Sequence, residues 1–181
     1  MTQIQNRDYE IVRVGASEAD RLHGLMRLVW EKLDDKSLFA VEDLDTGWMR
    51  DQLDGGFGIE ARTGDGEPVG MLLVCRYGLA EENLGHDLGY PETMLPYVCN
   101  VECAAVLPEH RGNGLQKRML AAAEEELRGS GIRVMAATAS PDNAASVKSL
   151  QAMGYRIVLT RNKYGGYQRH VLRKSLPTEE A

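Results

Sequence analysis

The chain has 181 residues, a hydrophobic fraction of 43% and a formal net charge of −6. That length suits one domain with a substantial core and is short for two. No apolar run approaches the roughly 20 residues of a membrane-spanning helix. The segment Met1–Asp8 is polar and lacks the apolar centre of a secretory signal, and the acidic balance disfavours general nucleic-acid binding. These features predict a cytoplasmic protein with neither membrane nor nucleic acid as partner. The odd set Cys75, Cys99 and Cys103 is no disulfide framework and has no zinc-ligand spacing, so no metal is expected.

Tyr9 to Val14 alternates as a first strand, and Gly15-Ala16 breaks it. Ser17 is placed as a helix N-cap, with Asp20 as its capping-box partner. Leu22, Leu25, Met26, Val29, Trp30 and Leu33 recur at helical spacing, predicting a helix over Ala19–Leu33. A second helix is expected over Val41–Leu53. Phe57–Arg62 and Val69–Tyr77 flank a Gly/Asp turn and read as a hairpin. Gly78–Pro96 is a long polar loop of the kind that carries function.

Tyr97–Leu107 is the next predicted strand, with Tyr97, Cys99, Val101, Cys103 and Ala105 on one face and Asn100 and Glu102 on the other. A helix is expected from Leu115 to Arg128, a strand over Arg133–Thr138, and a helix over Asn143–Met153. Strands Tyr155–Thr160 and Gln168–Leu172 follow, separated by Gly165-Gly166. The order β-α-α-β-β-β-α-β-α-β-β predicts a single α/β domain over residues 1–176, with a mixed central sheet flanked by helices and a short frayed tail at 177–181.

The segment Arg111-Gly112-Asn113-Gly114-Leu115-Gln116 lies between a strand end and a helix start. The first N–H groups of a helix lack intrahelical partners and sit at the positive end of its dipole. Glycines let a phosphate approach the backbone. Arg111, with Lys117 and Arg118, adds positive charge, so a polyphosphate can bind locally on an acidic chain. The segment is not a P-loop, because Leu115-Gln116 follows Gly114, nor a dinucleotide fingerprint, because Lys117 stands where a glycine is required. The competing reading is a glycine-rich turn with no ligand.

Arg111, Gly114 and Gln116 fall on the positions of the Gln/Arg-x-x-Gly-x-Gly/Ala acetyl-CoA signature, so the segment resembles that of the GNAT superfamily of N-acetyltransferases. Gln116 departs from the usual small residue. Asn143-Ala144-Ala145-Ser146 and Gly154-Tyr155 are similar to a second family segment, and the element order matches from Tyr9 to Leu172. The resemblance implies a GNAT fold and acetyl-CoA as co-substrate, with no metal. It implies splaying of the strands Tyr97–Leu107 and Arg133–Thr138 around pantetheine. It also implies cofactor contacts from Ala104, Val106, Arg111, Gly112, Asn113, Gly114, Leu115, Gln116, Asn143 and Ser146.

The implied reaction is direct transfer of acetyl to a primary amine of a small molecule or protein in a ternary complex. Glu102 is the expected catalytic base, or alternatively a substrate-orienting or charge-pairing residue. Leu150 occupies the position where relatives carry a tyrosine that protonates the thiolate. Tyr164, Tyr155 and Tyr97 are the substitutes, with Tyr164 carried forward as the catalytic candidate, and a covalent Cys103 relay ranks below them. Acidic residues of the long loop, such as Glu82 and Asp87, suit a cationic amine. The resemblance also allows a homodimer. The alternative function is a CoA-binding regulatory module with little or no catalysis.

Overall fold

The computed structural model describes residues 8–177 apart from Glu42. The segment 1–7 and the tail beyond Pro177 lie outside the described residues. A seven-stranded sheet runs in the order β1-β2-β3-β4-β5-β7-β6. Its strands are β1 (Tyr9–Val14), β2 (Phe57–Thr63), β3 (Pro68–Cys75), β4 (Val98–Val106), β5 (Val134–Ala139), β6 (Arg156–Lys163) and β7 (Tyr167–Ser175). Only the β4–β5 pair is parallel, so the sheet is mixed as expected. The helices are α1 (Ala19–Glu31), α2 (Thr46–Gly55), α3 (Leu115–Leu127) and α4 (Ala144–Ala152).

The apolar periodicities place the core. Leu22, Leu25, Met26 and Val29 of α1 are buried, as are Met119, Leu120, Ala123 and Leu127 of α3, in one cluster with the apolar residues of β2 and β3. The predicted cap at Ser17 is corrected. A 3-10 turn over Ala16–Glu18 precedes α1, and the Glu18 carboxylate accepts from Gly15 N–H at 2.9 Å and from Ser17 Oγ at 2.7 Å. Asp20 instead pairs with Arg50. The predicted second helix also starts later, at Thr46, because Asp45 caps it by accepting from Trp48 N–H at 2.8 Å.

The expected single-face alternation of β4 does not hold. Val98, Cys99, Asn100 and Val101 are all buried, because helices and core cover one face and the 78–96 segment covers the other. Tyr97 lies outside the strand, 37% exposed, with the Arg133 guanidinium 4.3 Å from its ring centre. The long segment is not a loose loop but a chain of turns with its own small core of Leu84 against Val98, Val134 and Ala136. Asn83 holds it together, donating to Gly78 O at 2.7 Å and Leu95 O at 3.0 Å. Asn100 joins it to β4 by accepting from Leu84 N–H and donating to Glu82 O.

Candidate active site

The site begins where the sheet comes apart. β4 and β5 pair from Val98↔Val134 to Val101↔Ala137 and then diverge, although both strands continue. The cause lies on the opposite edge of β4. The β3–β4 register slips between Met71 and Leu73, and Cys103 takes a left-handed φ of 51°. Such a bulge bends the strand and raises its local twist. Leu107 N–H donates to Val69 O at 2.9 Å, so Ala105 shares that β3-facing side. By alternation, the N–H and C=O groups of Ala104 and Val106 face the gap. Backbone groups left unpaired there need a partner. In this structure Arg111 Nε donates to Val106 O at 3.1 Å.

The gap opens into a cavity of about 720 Å³, within the size range of small-molecule clefts. One end is the predicted phosphate loop. Gly112 and Gly114 have φ of 80° and 68°, which a side chain would strain. Gly114 is the N-cap of α3, and the first helical bond runs from Arg118 N–H to Gly114 O. The earlier amides of that turn are therefore available to an anion. Arg111, Gly112, Gly114, Leu115, Gln116 and Lys117 line the cavity. Asn113 does not. Its amide donates to His110 O and Arg111 O, which stiffens the loop. Arg118 points elsewhere, donating to Tyr9 O at 2.7 Å. Asn143 caps α4 by accepting from Ser146 N–H, and Gln116 Nε2 donates to Ser146 Oγ at 3.2 Å. The residue that departs from the signature thus clips α3 to α4 across the slot.

The other end holds the acid. Glu102 is half-buried, its carboxylate accepting from Tyr77 OH at 3.2 Å and Asn100 Nδ2 at 3.0 Å. Burial raises its pKa above the ordinary carboxylate value. The two donors and the Lys163 charge oppose that rise, while Glu82 adds to it. Tyr164 sits across the cavity on the β6–β7 turn, its hydroxyl 3.1 Å from Thr138 Oγ1 on the splayed end of β5. Although the residue is 45% exposed, partial desolvation of the phenol in the cavity, with the Glu102 charge adding, pushes it up to about 12. Of the three tyrosines considered, Tyr164 alone lines the cavity. Tyr155 is a core residue donating to Met135 Sδ, and Tyr97 is on the outer surface. The Cys103 thiol is pushed well above its ordinary value by burial and by Glu102, the opposite of what a nucleophile needs. Leu150 is buried and lines the slot.

Sequence reasoning passed over several residues that the fold brings here. Tyr77 had no local signal beyond its place at the end of a strand. Asn100 was visible as a mid-strand polar residue, but not as the link between Glu102 and the 78–96 segment. Lys163 and Arg169 of β6 and β7 also reach the cavity. Asp87 does not serve it. Its nearly buried carboxylate pairs with Arg161 at 2.8 Å and Lys163 at 2.6 Å. Among the described residues no group of His, Cys, Asp and Glu side chains could hold a metal, and no helix is long and apolar enough to cross a membrane.

Known proteins agree with this architecture. The family model of the acetyltransferase (GNAT) family matches residues 19–155. Aminoglycoside N(6')-acetyltransferase type 1 of Salmonella typhimurium is 30% identical over 129 residues, covering 64% of this chain and 88% of that protein. A GNAT-family acetyltransferase from Streptococcus pneumoniae superposes with a TM-score of 0.71 at 16% identity, covering 94% of this chain and 100% of the other. Arabidopsis thaliana NAA60, solved in complex with acetyl-CoA, gives 0.71 at 12% identity, covering 93% and 98%. The chain belongs to the GNAT acetyltransferase family, whose class activity is acyl transfer from acetyl-CoA.

Proposed function

We propose that this protein transfers the acetyl group of acetyl-CoA to a primary amine by direct attack, with Glu102 receiving the proton that the amine nitrogen loses. The observation that carries the reading is the gap between β4 and β5, with a hydrogen-bonded carboxylate at one end and an amide-rich helix start at the other. The residues fit the co-substrate. The Ala104 and Val106 backbone groups offer an extended amide ladder to pantetheine. Leu115, Gln116 and Lys117 amides, with the Arg111 and Lys117 charges, suit a pyrophosphate. Acetyl-CoA supplies an activated thioester carbonyl.

The Ala104 N–H donates to that carbonyl oxygen as negative charge develops on it. As the nitrogen–carbon bond forms and the carbon–sulfur bond breaks, the nitrogen's proton moves to a Glu102 Oε. Tyr77 and Asn100 hold that carboxylate in place. Tyr164 serves as a hydrogen-bond donor to the departing sulfur rather than as its proton source. A phenol near 12 is a weaker acid than a thiol near about 8.5. The free thiolate leaves and takes its proton from water. Gln116, Asn143 and Ser146 set the width of the slot, while Gly112 and Asn113 shape the loop. The test is an acceptor-amine screen with acetyl-CoA, read as free thiol. Transfer to an amine is expected, and tight CoA binding with no transfer to any amine would indicate a binding module instead.

A further inference from the structure

The acceptor end of the cavity is walled by Leu38, Phe39, Leu44 and Trp48, all half-buried; Phe39, Leu44 and Trp48 pack in part against the main core, and all four line the open space. The turn that carries Leu38 is fixed beside the catalytic machinery. Arg169 Nη2 donates to Ser37 O at 2.6 Å, and its guanidinium lies 5.9 Å from the Tyr164 ring centre. Among the described residues, Glu82 and Glu102 are the acids that line the cavity. At the same end stand two cations, Lys163 and Arg169, the former already on Asp87 at 2.6 Å.

A buried polycation requires an anion for each charge removed from water. Asp87, Glu82 and Glu102 are met by Arg161, Lys163 and Arg169, three acids against three cations, so the local balance is not negative. Apolar area removed from water, by contrast, gains affinity in proportion to its size. We infer that the acceptor is a primary monoamine with an apolar body that lies on the Leu38–Phe39–Leu44–Trp48 wall, not a polyammonium sugar of the kind named for the Salmonella relative. The inference rests on the transferase reading above. It adds the chemistry of the part of the acceptor that does not react.

The test is steady-state kinetics with acetyl-CoA and a series of equally charged n-alkylamines from ethylamine to hexylamine, with phenethylamine and tobramycin alongside. Burial of each methylene corresponds to about a fourfold gain in kcat/KM, so the series should climb steeply until the wall is covered, and phenethylamine should exceed tobramycin. Leu38→Asp should collapse the hexylamine-to-ethylamine ratio by about tenfold or more. Leu38 is not among the residues packed against the main core, so the variant should fold; Leu38→Ala is the second, milder probe of the same ratio. A flat series with measurable turnover, or a preference for tobramycin, overturns this inference and leaves the transferase reading intact. Acetyl-CoA binding with no amine acetylated overturns both.

Discussion

Replacing Glu102 by Gln separates chemistry from architecture. Glutamine keeps the shape. Its carbonyl can still accept from Asn100 Nδ2, and its amide can donate to the Tyr77 oxygen, so both contacts of the native carboxylate have a substitute. What is lost is a group that takes a proton. A positioned general base is worth about 10²- to 10⁴-fold, or about 3–5 kcal/mol of barrier. The expected loss is in kcat/KM for the amine, with the KM for acetyl-CoA unchanged.

Stability should move the other way. Burial raises the Glu102 pKa in the folded state above its reference of 4.5, so the folded protein holds that proton more tightly than the unfolded chain. Its contribution to stability is therefore fully present below about pH 4.5 and lost as pH rises through the folded value. Glutamine does not titrate. The variant should match or exceed the wild-type Tm at pH 7–8, and the gap should close towards pH 4. Amine kinetics from pH 6 to 9 and thermal melts from pH 4 to 8 are the assays. Full turnover across the pH range, or a variant markedly less stable than wild type at pH 8, would refute the reasoning.

Two further substitutions probe the site, and a third the ion pairs beside it. Gly114→Val places a β-branched residue at φ 68° with no clash nearer than Lys117 Cε at 3.8 Å, so its cost is torsional, about 1–2 kcal/mol in Tm-derived stability. Calorimetry should show acetyl-CoA binding weakened by about tenfold or more. Tyr164→Phe removes one hydrogen bond, worth about 1 kcal/mol, so kcat should fall about fivefold; a loss beyond about a hundredfold in single-turnover kinetics would make the phenol an obligatory proton donor. Asp87→Asn removes a nearly buried charge whose partners Arg161 and Lys163 keep contact with solvent, and should cost about 1 kcal/mol in urea titration.

Much of the sheet was legible from short apolar runs bounded by Gly/Asp turns, β2, β3 and β5 being buried nearly throughout, and both motif helices were marked by glycine and asparagine at their starts. The bulge at Cys103 was not, because a non-glycine residue at positive φ leaves no trace in the residue type. Without the bulge, the strand pattern predicts a uniform β4 and turns no backbone groups of Ala104 and Val106 towards a gap. The cap at Asp45 lost to an apolar periodicity that seemed to begin at Val41. The 78–96 segment read as a long polar loop because most of its polar residues are exposed; what orders it is the pair Asn83 and Asn100, whose partners come from distant positions. Glu102 was legible from its place in the strand. Its holder Tyr77 was not, since only the β3–β4 pairing brings the two together.

The early parting of β4 and β5 makes the hydrogen-bonded sheet incomplete in its own middle. On the proposed reading, a pantetheine arm along Ala104 and Val106 would act as a detachable strand, present in the native state and absent from the unfolded one. Folding and substrate supply are then linked by mass action. At a concentration one hundred times Kd, the bound molecule gains about 2.7 kcal/mol over the empty one. Each round of turnover that empties the slot loosens the molecule for a moment, so protease resistance becomes a gauge of how often the slot is filled.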